Sequence, residues 1–223
     1  MILNIHKEKN WTSFDVVAKV RGILGEKKVG HAGTLDPLAE GVLVVLTGED
    51  TKKQSEFMNM EKEYIAEFGL GLDSDTYDLE VLPRVIDTNI DFEKEIKKYV
   101  GKIKQKVPSY SAVKVKGKKL YKEARKGKID ESSLPVKEIS IHSIEILDKY
   151  EKDIETESGV KKIPIFKVKV VCGSGTYIRS LAHDLDCVLV SLVRTRIGDF
   201  KVEDSIEISE IKRSRPEREG FRS

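Results

Sequence analysis

The chain has 223 residues, room for one generous domain or a domain with a small appendage. Apolar residues make up 39%, enough for a packed core, and no stretch approaches the roughly 18–20 apolar residues of a membrane helix. The formal charge of +2 hides a segregation, because residues 49–95 carry fourteen acidic and five basic side chains while 97–128 carry thirteen basic side chains and one acid, Glu123.

The N-terminus, MILNIHKEKNW, lacks the apolar core of a secretory signal. Ser13 to Leu24 then reads as a helix, capped by Thr12 or Ser13 and stopped by Gly25. Residues 25–41, with four glycines and Pro37, read as a loop, and VLVVLT after them as a buried strand. EYIAEFGLG predicts a strand that ends in an acidic loop, LDSDTYDLE. Phe92 to Val100 reads as a helix ended by Gly101, YSAVKVKG as a strand, and Leu120 to Arg125 as a short helix. VKEISIHSIEIL and PIFKVKVVC alternate as half-buried strands, and the polar stretch between them, 148–162, is expected to be an exposed hairpin tip. Thr176 to about Leu189 predicts a helix and LVRTRIGDF another strand, before a charged tail, KRSRPEREGFRS, expected to fray. The sum is an α+β domain with a large sheet and helices packed on it.

Cys172 and Cys187 have no metal-type spacing; they fit small core residues in a reducing cytoplasm, and no metal site is expected. The basic block is interleaved with Tyr110 and Tyr121, a pattern suited to holding phosphates while aromatic rings stack on bases. Asp36 precedes Pro37, which biases it toward extended backbone. In a glycine-rich turn at a strand edge such a carboxylate either projects into a cleft or caps the turn itself. Tyr64 heads a strand, and Tyr177 and Arg179 sit at the mouth of a helix behind a small-residue turn, GSG. An arginine meeting a carboxylate can form two charge-assisted hydrogen bonds and keep it ionised, ready as nucleophile or base.

The run KVGHAGTLDPLAEGVLVV, preceded by TSFDVVAKVR, resembles the signature of the TruB-type tRNA pseudouridine synthases. The likeness continues in order through EKEYIAEFGLGLDSDTYD, VPSYSAVKVKGKKLYKEARKG, CGSGTYIRSLAHDL and LVRTRIGDF. The resemblance implies a pseudouridine-synthase-type catalytic domain with a large mixed, mainly antiparallel sheet flanked by helices. It implies isomerisation of a T-loop uridine in tRNA, with the base flipped out of its stack and no cofactor required. On this analogy Asp36 is the catalytic aspartate, attacking the sugar or the base so that uracil detaches, rotates and rejoins through carbon. Tyr64 stacks on the uracil, Arg179 pairs with Asp36, Tyr177 lines the pocket and Leu192 supplies an apolar wall. His31 touches the T-loop near the target, and Asp78 and Lys7 match positions near the site.

The sequence departs from the family pattern at its start, where His6, Glu8 and Asn10 replace Asp, Pro and Gly around Lys7. The expected organisation is a catalytic domain over residues 1–205 and a short charged tail over 206–223, without the small RNA-binding domain that usually follows. A cytoplasmic monomer that binds the tRNA T-arm, with no guide RNA and no membrane, is the corresponding expectation. A tRNA-binding chaperone is the competing reading, but binding alone does not require Asp36, Tyr64, Tyr177 and Arg179 together. Affinity for tRNA is expected to fall steeply in a salt titration, because phosphate contacts by the basic block release counterions. A flat titration would count against this surface.

Overall fold

The computed structural model describes residues 1–111, 114–115, 118–120 and 134–212. Strand β1 (Ile2–Lys7) leads through a tight turn into helix α1 (Ser13–Leu24). The Thr12 hydroxyl accepts from the Asp15 amide and the Asp15 carboxylate accepts from the Thr12 amide, a reciprocal cap. Gly25, in the left-handed region at φ 66°, returns its N–H to the Arg21 carbonyl and ends the helix.

Next come β2 (Val29–His31), β3 (Glu40–Thr47), α2 (Gln54–Asn59), β4 (Lys62–Leu70) and the short pair β5 (Leu72–Asp73) and β6 (Arg84–Val85). Helix α3 (Phe92–Glu95) runs through a 3-10 turn into β7 (Gly101–Lys106). β8 (Lys114–Val115), inside the strand expected over 110–117, pairs with β9 (Lys118–Lys119) just beyond it. The helix expected over 120–125 lies outside the described residues apart from Leu120. The chain closes with β10 (Val136–Thr156), β11 (Gly159–Cys172), α4 (Ile178–His183), β12 (Cys187–Ile197) and β13 (Phe200–Lys201).

Among the described residues, the main sheet runs in the order β1-β3-β12-β4-β11-β10-β7, with β2 and β13 added at its sides. Its ladders are antiparallel except β3 with β12, so the sheet is mixed and mainly antiparallel. Strand β3 is apolar without alternation because both its faces are covered. Leu43 and Val45 pack with Val16 and Val20 of α1, and Val42, Val44 and Leu46 pack with Phe57 of α2 and Ile197. On β4 the pattern alternates, and Lys62, Tyr64, Ala66 and Phe68 point inward. Ala66 and Phe68 join the largest core, where Phe92 stacks on Phe166 at 4.1 Å between ring centroids and α4 adds Leu181 and Ala182.

Residues 148–162 form the largely exposed end of a hairpin, as expected, and it is an ordered one, since β10 and β11 stay paired out to Thr156 and Gly159. The apolar members of this hairpin are spaced by two, and Ile154, Ile163 and Ile165 pack beneath Leu72, Val188 and Val190 while the charged residues face solvent. The helix expected to reach Leu189 ends at His183. Asp186 turns the chain at φ 51°, and CVLVSLV becomes the central strand β12. A continuous apolar run does not distinguish a short buried helix from a strand; here the register with β4 decides. Strands β1 and β7 carried no prediction.

Past β13, Ile206 bridges to Ile5 and Ile208 is buried against α1, so residues 206–208 pack onto the fold rather than leave it. The charged tail from residue 213 onward lies outside the described residues. No helix among the described residues is long and apolar enough to cross a membrane.

The parallel contact of β3 with β12 depends on Gly41. It sits at φ 102°, and a Cβ there would lie 2.4 Å from the Arg194 carbonyl oxygen. Gly41→Ala is therefore expected to cost at least about 2 kcal/mol in a urea unfolding titration, since strain and overpacking act together.

Candidate active site

The turn carrying Asp36 is held from three directions. From α1, the Ser13 hydroxyl accepts the Leu35 N–H at 2.8 Å and donates to the Leu35 carbonyl at 3.0 Å. From the β1–α1 turn, the Asn10 N–H donates to the Pro37 carbonyl at 2.7 Å. Asn10 stands at φ 69°, a left-handed conformation that asparagine adopts more readily than most residues. From β12, Arg194 donates through Nε to Val42 O at 2.8 Å, through Nη2 to Gly33 O at 3.1 Å and through Nη1 to Thr34 O at 3.4 Å. Only 1% of Arg194 is exposed, and no carboxylate pairs with it among the described residues. The glycine-rich loop is therefore ordered by donors outside itself.

Asp36 projects from this turn with its side chain 35% exposed, and among the described residues it caps no backbone amide. Its close neighbour is Arg179, whose Nε lies 2.9 Å from Oδ2. That Nε–H is not aligned as a hydrogen bond, so the pairing of Arg179 with Asp36 is an ion pair without a fork of hydrogen bonds. The other guanidinium nitrogens are engaged behind it. Nη1 donates to Thr76 O at 3.0 Å and lies 3.6 Å from Asp78 Oδ2, and Nη2 donates to Tyr110 O at 3.1 Å. Arg179 thus sits between two carboxylates. Burial pushes the Asp78 carboxyl above its usual range, and Arg179 pulls it partly back.

The cavity at Asp36 holds about 460 Å³, within the range of small-molecule sites. Five of the eight residues singled out in the sequence line it: Asp36, Tyr64, Tyr177, Arg179 and Leu192. Asp78 stands behind Arg179. His31, on the edge strand β2, and Lys7, at the end of β1, do not line it. Burial and the nearby Arg194 charge hold the His31 imidazole below its usual pKa. The Lys7 ammonium donates to Trp11 O at 2.6 Å and Glu8 O at 2.9 Å, closing the turn that bears Asn10. Burial lowers its pKa to about 8 against the opposing pull of Asp36.

Tyr64 stands across from Arg194 in the sheet, and burial raises its phenol pKa. The Tyr177 backbone is clamped by a buried side chain of β7: Gln105 Oε1 accepts its N–H at 2.8 Å and Gln105 Nε2 donates to its carbonyl at 3.0 Å. Sequence reasoning missed Arg194 and Gln105, and it missed Lys62 on the cavity wall. Arg194 and Lys62 lie inside quoted motifs, but only their burial separates them from ordinary surface charges. Among the described residues, no group of three or more His, Cys, Asp or Glu side chains is arranged to hold a metal.

The arrangement can present an ionised oxygen to a nucleotide-sized ligand, with an aromatic ring and an apolar wall beside it. Two solved structures share the architecture over 93% of this chain. A Cbf5-Nop10-Gar1 complex matches with TM-score 0.66 and 27% identity, and an H/ACA RNP bound to a substrate RNA containing 2'-deoxyuridine matches with TM-score 0.63 and 25% identity. The chain spans about half of each matched structure's length, 52% and 51%. Residues 21–178, more than half of the chain, match the model of the TruB family pseudouridylate synthase N-terminal domain. The fold and cleft are thus those of the pseudouridine-synthase class of isomerases.

Relatives called tRNA pseudouridine synthase B align over nearly the whole chain. That of Parabacteroides distasonis is 41% identical over 94% of this chain and 91% of its own length, and that of Phocaeicola vulgatus is 39% identical over 93% and 89%. A Clostridium kluyveri relative of the same name is 42% identical over 93% of this chain and 70% of its own. The chain belongs to the TruB family of pseudouridylate synthases.

Arg194→Met removes three donors at once from the carbonyls of Gly33, Thr34 and Val42. It is expected to destabilise the fold by about 3 kcal/mol in chemical denaturation, with Arg194→Lys recovering only part, since an ammonium cannot reproduce the planar fork.

Proposed function

We propose that the protein isomerises a T-loop uridine of tRNA to pseudouridine, with Asp36 as the catalytic carboxylate. The observation that carries this reading is the Asp36–Arg179 ion pair at the wall of a cavity lined by Tyr64, Tyr177 and Leu192. Identity near 40% to relatives named for tRNA supports tRNA as the substrate. That identity exceeds the 25–27% to the ribonucleoprotein structures and favours an enzyme acting without a guide RNA.

The reaction breaks the C1′–N1 bond and forms a C1′–C5 bond; C5 loses a proton and N1 gains one. No electrons are gained or lost overall, so the chemistry requires no redox cofactor. The target base must leave its stack to reach Asp36, at a cost of roughly a few kcal/mol. Arg179, tied down by Thr76, Tyr110 and Asp78, holds the carboxylate in place as its ion-pair partner without competing for the base. Tyr64 offers a ring face to the uracil, Leu192 excludes water from the other side, and Tyr177 closes the sugar end. Lys7 and Asp78 act through the turn and through Arg179. His31, on the edge strand beside this turn, faces the RNA. Residues 1–205 form the catalytic unit in this reading.

The test is tritium release from tRNA carrying C5-labelled uridine. The wild type is expected to release label, and Asp36→Asn to release it at least about 10³-fold more slowly while tRNA affinity stays near that of the wild type. Label released at the same rate by both proteins would sink the assignment of Asp36.

A further inference from the structure

Cleaving the glycosidic bond moves a negative charge. Before cleavage it rests on Asp36, paired with Arg179. Whether Asp36 serves as a nucleophile on C1′ or as a base on the ribose, the electron pair of the broken C1′–N1 bond leaves with the uracil, which becomes an anion. Arg179 is fixed at the carboxylate end by four partners and cannot follow the charge. A second cation is needed at the base end.

Lys62 is placed there. It sits two residues before Tyr64 on the same inward face of β4 and lines the same cavity. Only 5% of it is exposed, and no carboxylate lies within ion-pair distance among the described residues. Its ammonium donates to Met58 O and, at 2.6 Å, to Met60 O, both at the C-terminal end of α2. An ammonium has three donors, so one N–H is left over on a group that is otherwise buried. The other cations of the cavity are differently engaged or exposed. Arg194 is committed to three carbonyls, and Lys137 stands exposed in the wall.

We propose that Lys62 stabilises the detached uracil anion through this third N–H, a role that rests on the uridine-isomerising reading above. Burial already lowers the ammonium's pKa to about 8, so the fold holds a cation there at a cost that an arriving anion relieves. Its two carbonyl bonds fix the nitrogen in advance, so little reorganisation accompanies the charge transfer.

The experiment compares wild type, Lys62→Met and Lys62→Arg under single-turnover conditions with saturating enzyme, on tRNA carrying uridine or 5-fluorouridine at the target. On uridine, conversion to pseudouridine is read by nucleoside chromatography; on 5-fluorouridine, whose C5 has no proton to lose, the loss of the starting nucleoside through C1′–N1 cleavage is read instead, and tRNA affinity is measured separately. Fluorine at C5 makes the base anion intrinsically more stable and so less dependent on the protein. Lys62→Met is expected to slow uridine conversion by about 100-fold, with affinity nearly unchanged and with Lys62→Arg recovering part of the loss. On 5-fluorouridine the deficit should shrink to about 10-fold.

An equal deficit on both substrates would mean that Lys62 only tethers α2, and would overturn the proposal. Weakened tRNA binding with an unchanged single-turnover rate would mean a phosphate contact, and would also overturn it. Should Lys62→Met fail to fold, Lys62→Gln keeps an amide donor for the two carbonyls while removing the charge, and the same comparison applies. A wild type that converts no uridine would sink the functional reading and this proposal together. An active wild type beside an equally active Lys62→Met sinks this proposal alone.

Discussion

A reactive carboxylate on a glycine-rich turn is useful only if the turn has one conformation, and glycines by themselves provide the opposite. The 33–37 turn resolves this by passing its backbone groups to partners from other elements: Arg194 of β12, Ser13 of α1 and Asn10 of the preceding turn. A buried peptide group without a partner costs about 1–3 kcal/mol, so each contact both stabilises the fold and fixes where Asp36 points. The rest of the architecture serves these contacts. Gly41 lets β3 approach β12 closely enough for Arg194 to reach Val42, and the cap of α1 delivers Ser13 to Leu35.

The electrostatics of the cleft follow from the same economy of partners. Arg179, Arg194, Lys7 and Lys62 are all buried; Asp36 and Asp78 face Arg179 with negative charge, and Asp36, Glu40 and Asp15 act on Lys7. Burying a cation without a carboxylate is unfavourable unless backbone carbonyls surround it, and carbonyls do so at Arg194, Lys7 and Lys62. Carbonyl dipoles hold a cation in place without neutralising it. Such buried, unneutralised cations favour negative charge in the cleft.

How much of this was legible in the sequence differs by element. The span of helix α1 was readable because its end signals are local, Thr12 or Ser13 as cap and a glycine stop. The apolar run of β3 and the alternation of β4 were equally plain. The helix overrun at 184–189 failed because the decisive partner lies far away in the chain: β4 beside β12.

The motifs by themselves determined the family, the fold class and the cluster of Asp36, Tyr64, Tyr177, Arg179 and Leu192, since the order and identity of residues within motifs are properties of the chain. Only the tertiary structure decided how these groups act on one another. It made the pairing of Arg179 with Asp36 a single ion pair braced by Asp78 and two carbonyls. It drew Lys7 away from the cavity wall and into the support of a turn, and it brought Lys62 and Arg194 to that wall. The physical reason is that a charge's role depends on burial and on partners up to 161 positions distant, as between Arg194 and Gly33, and neither is encoded in local spacing.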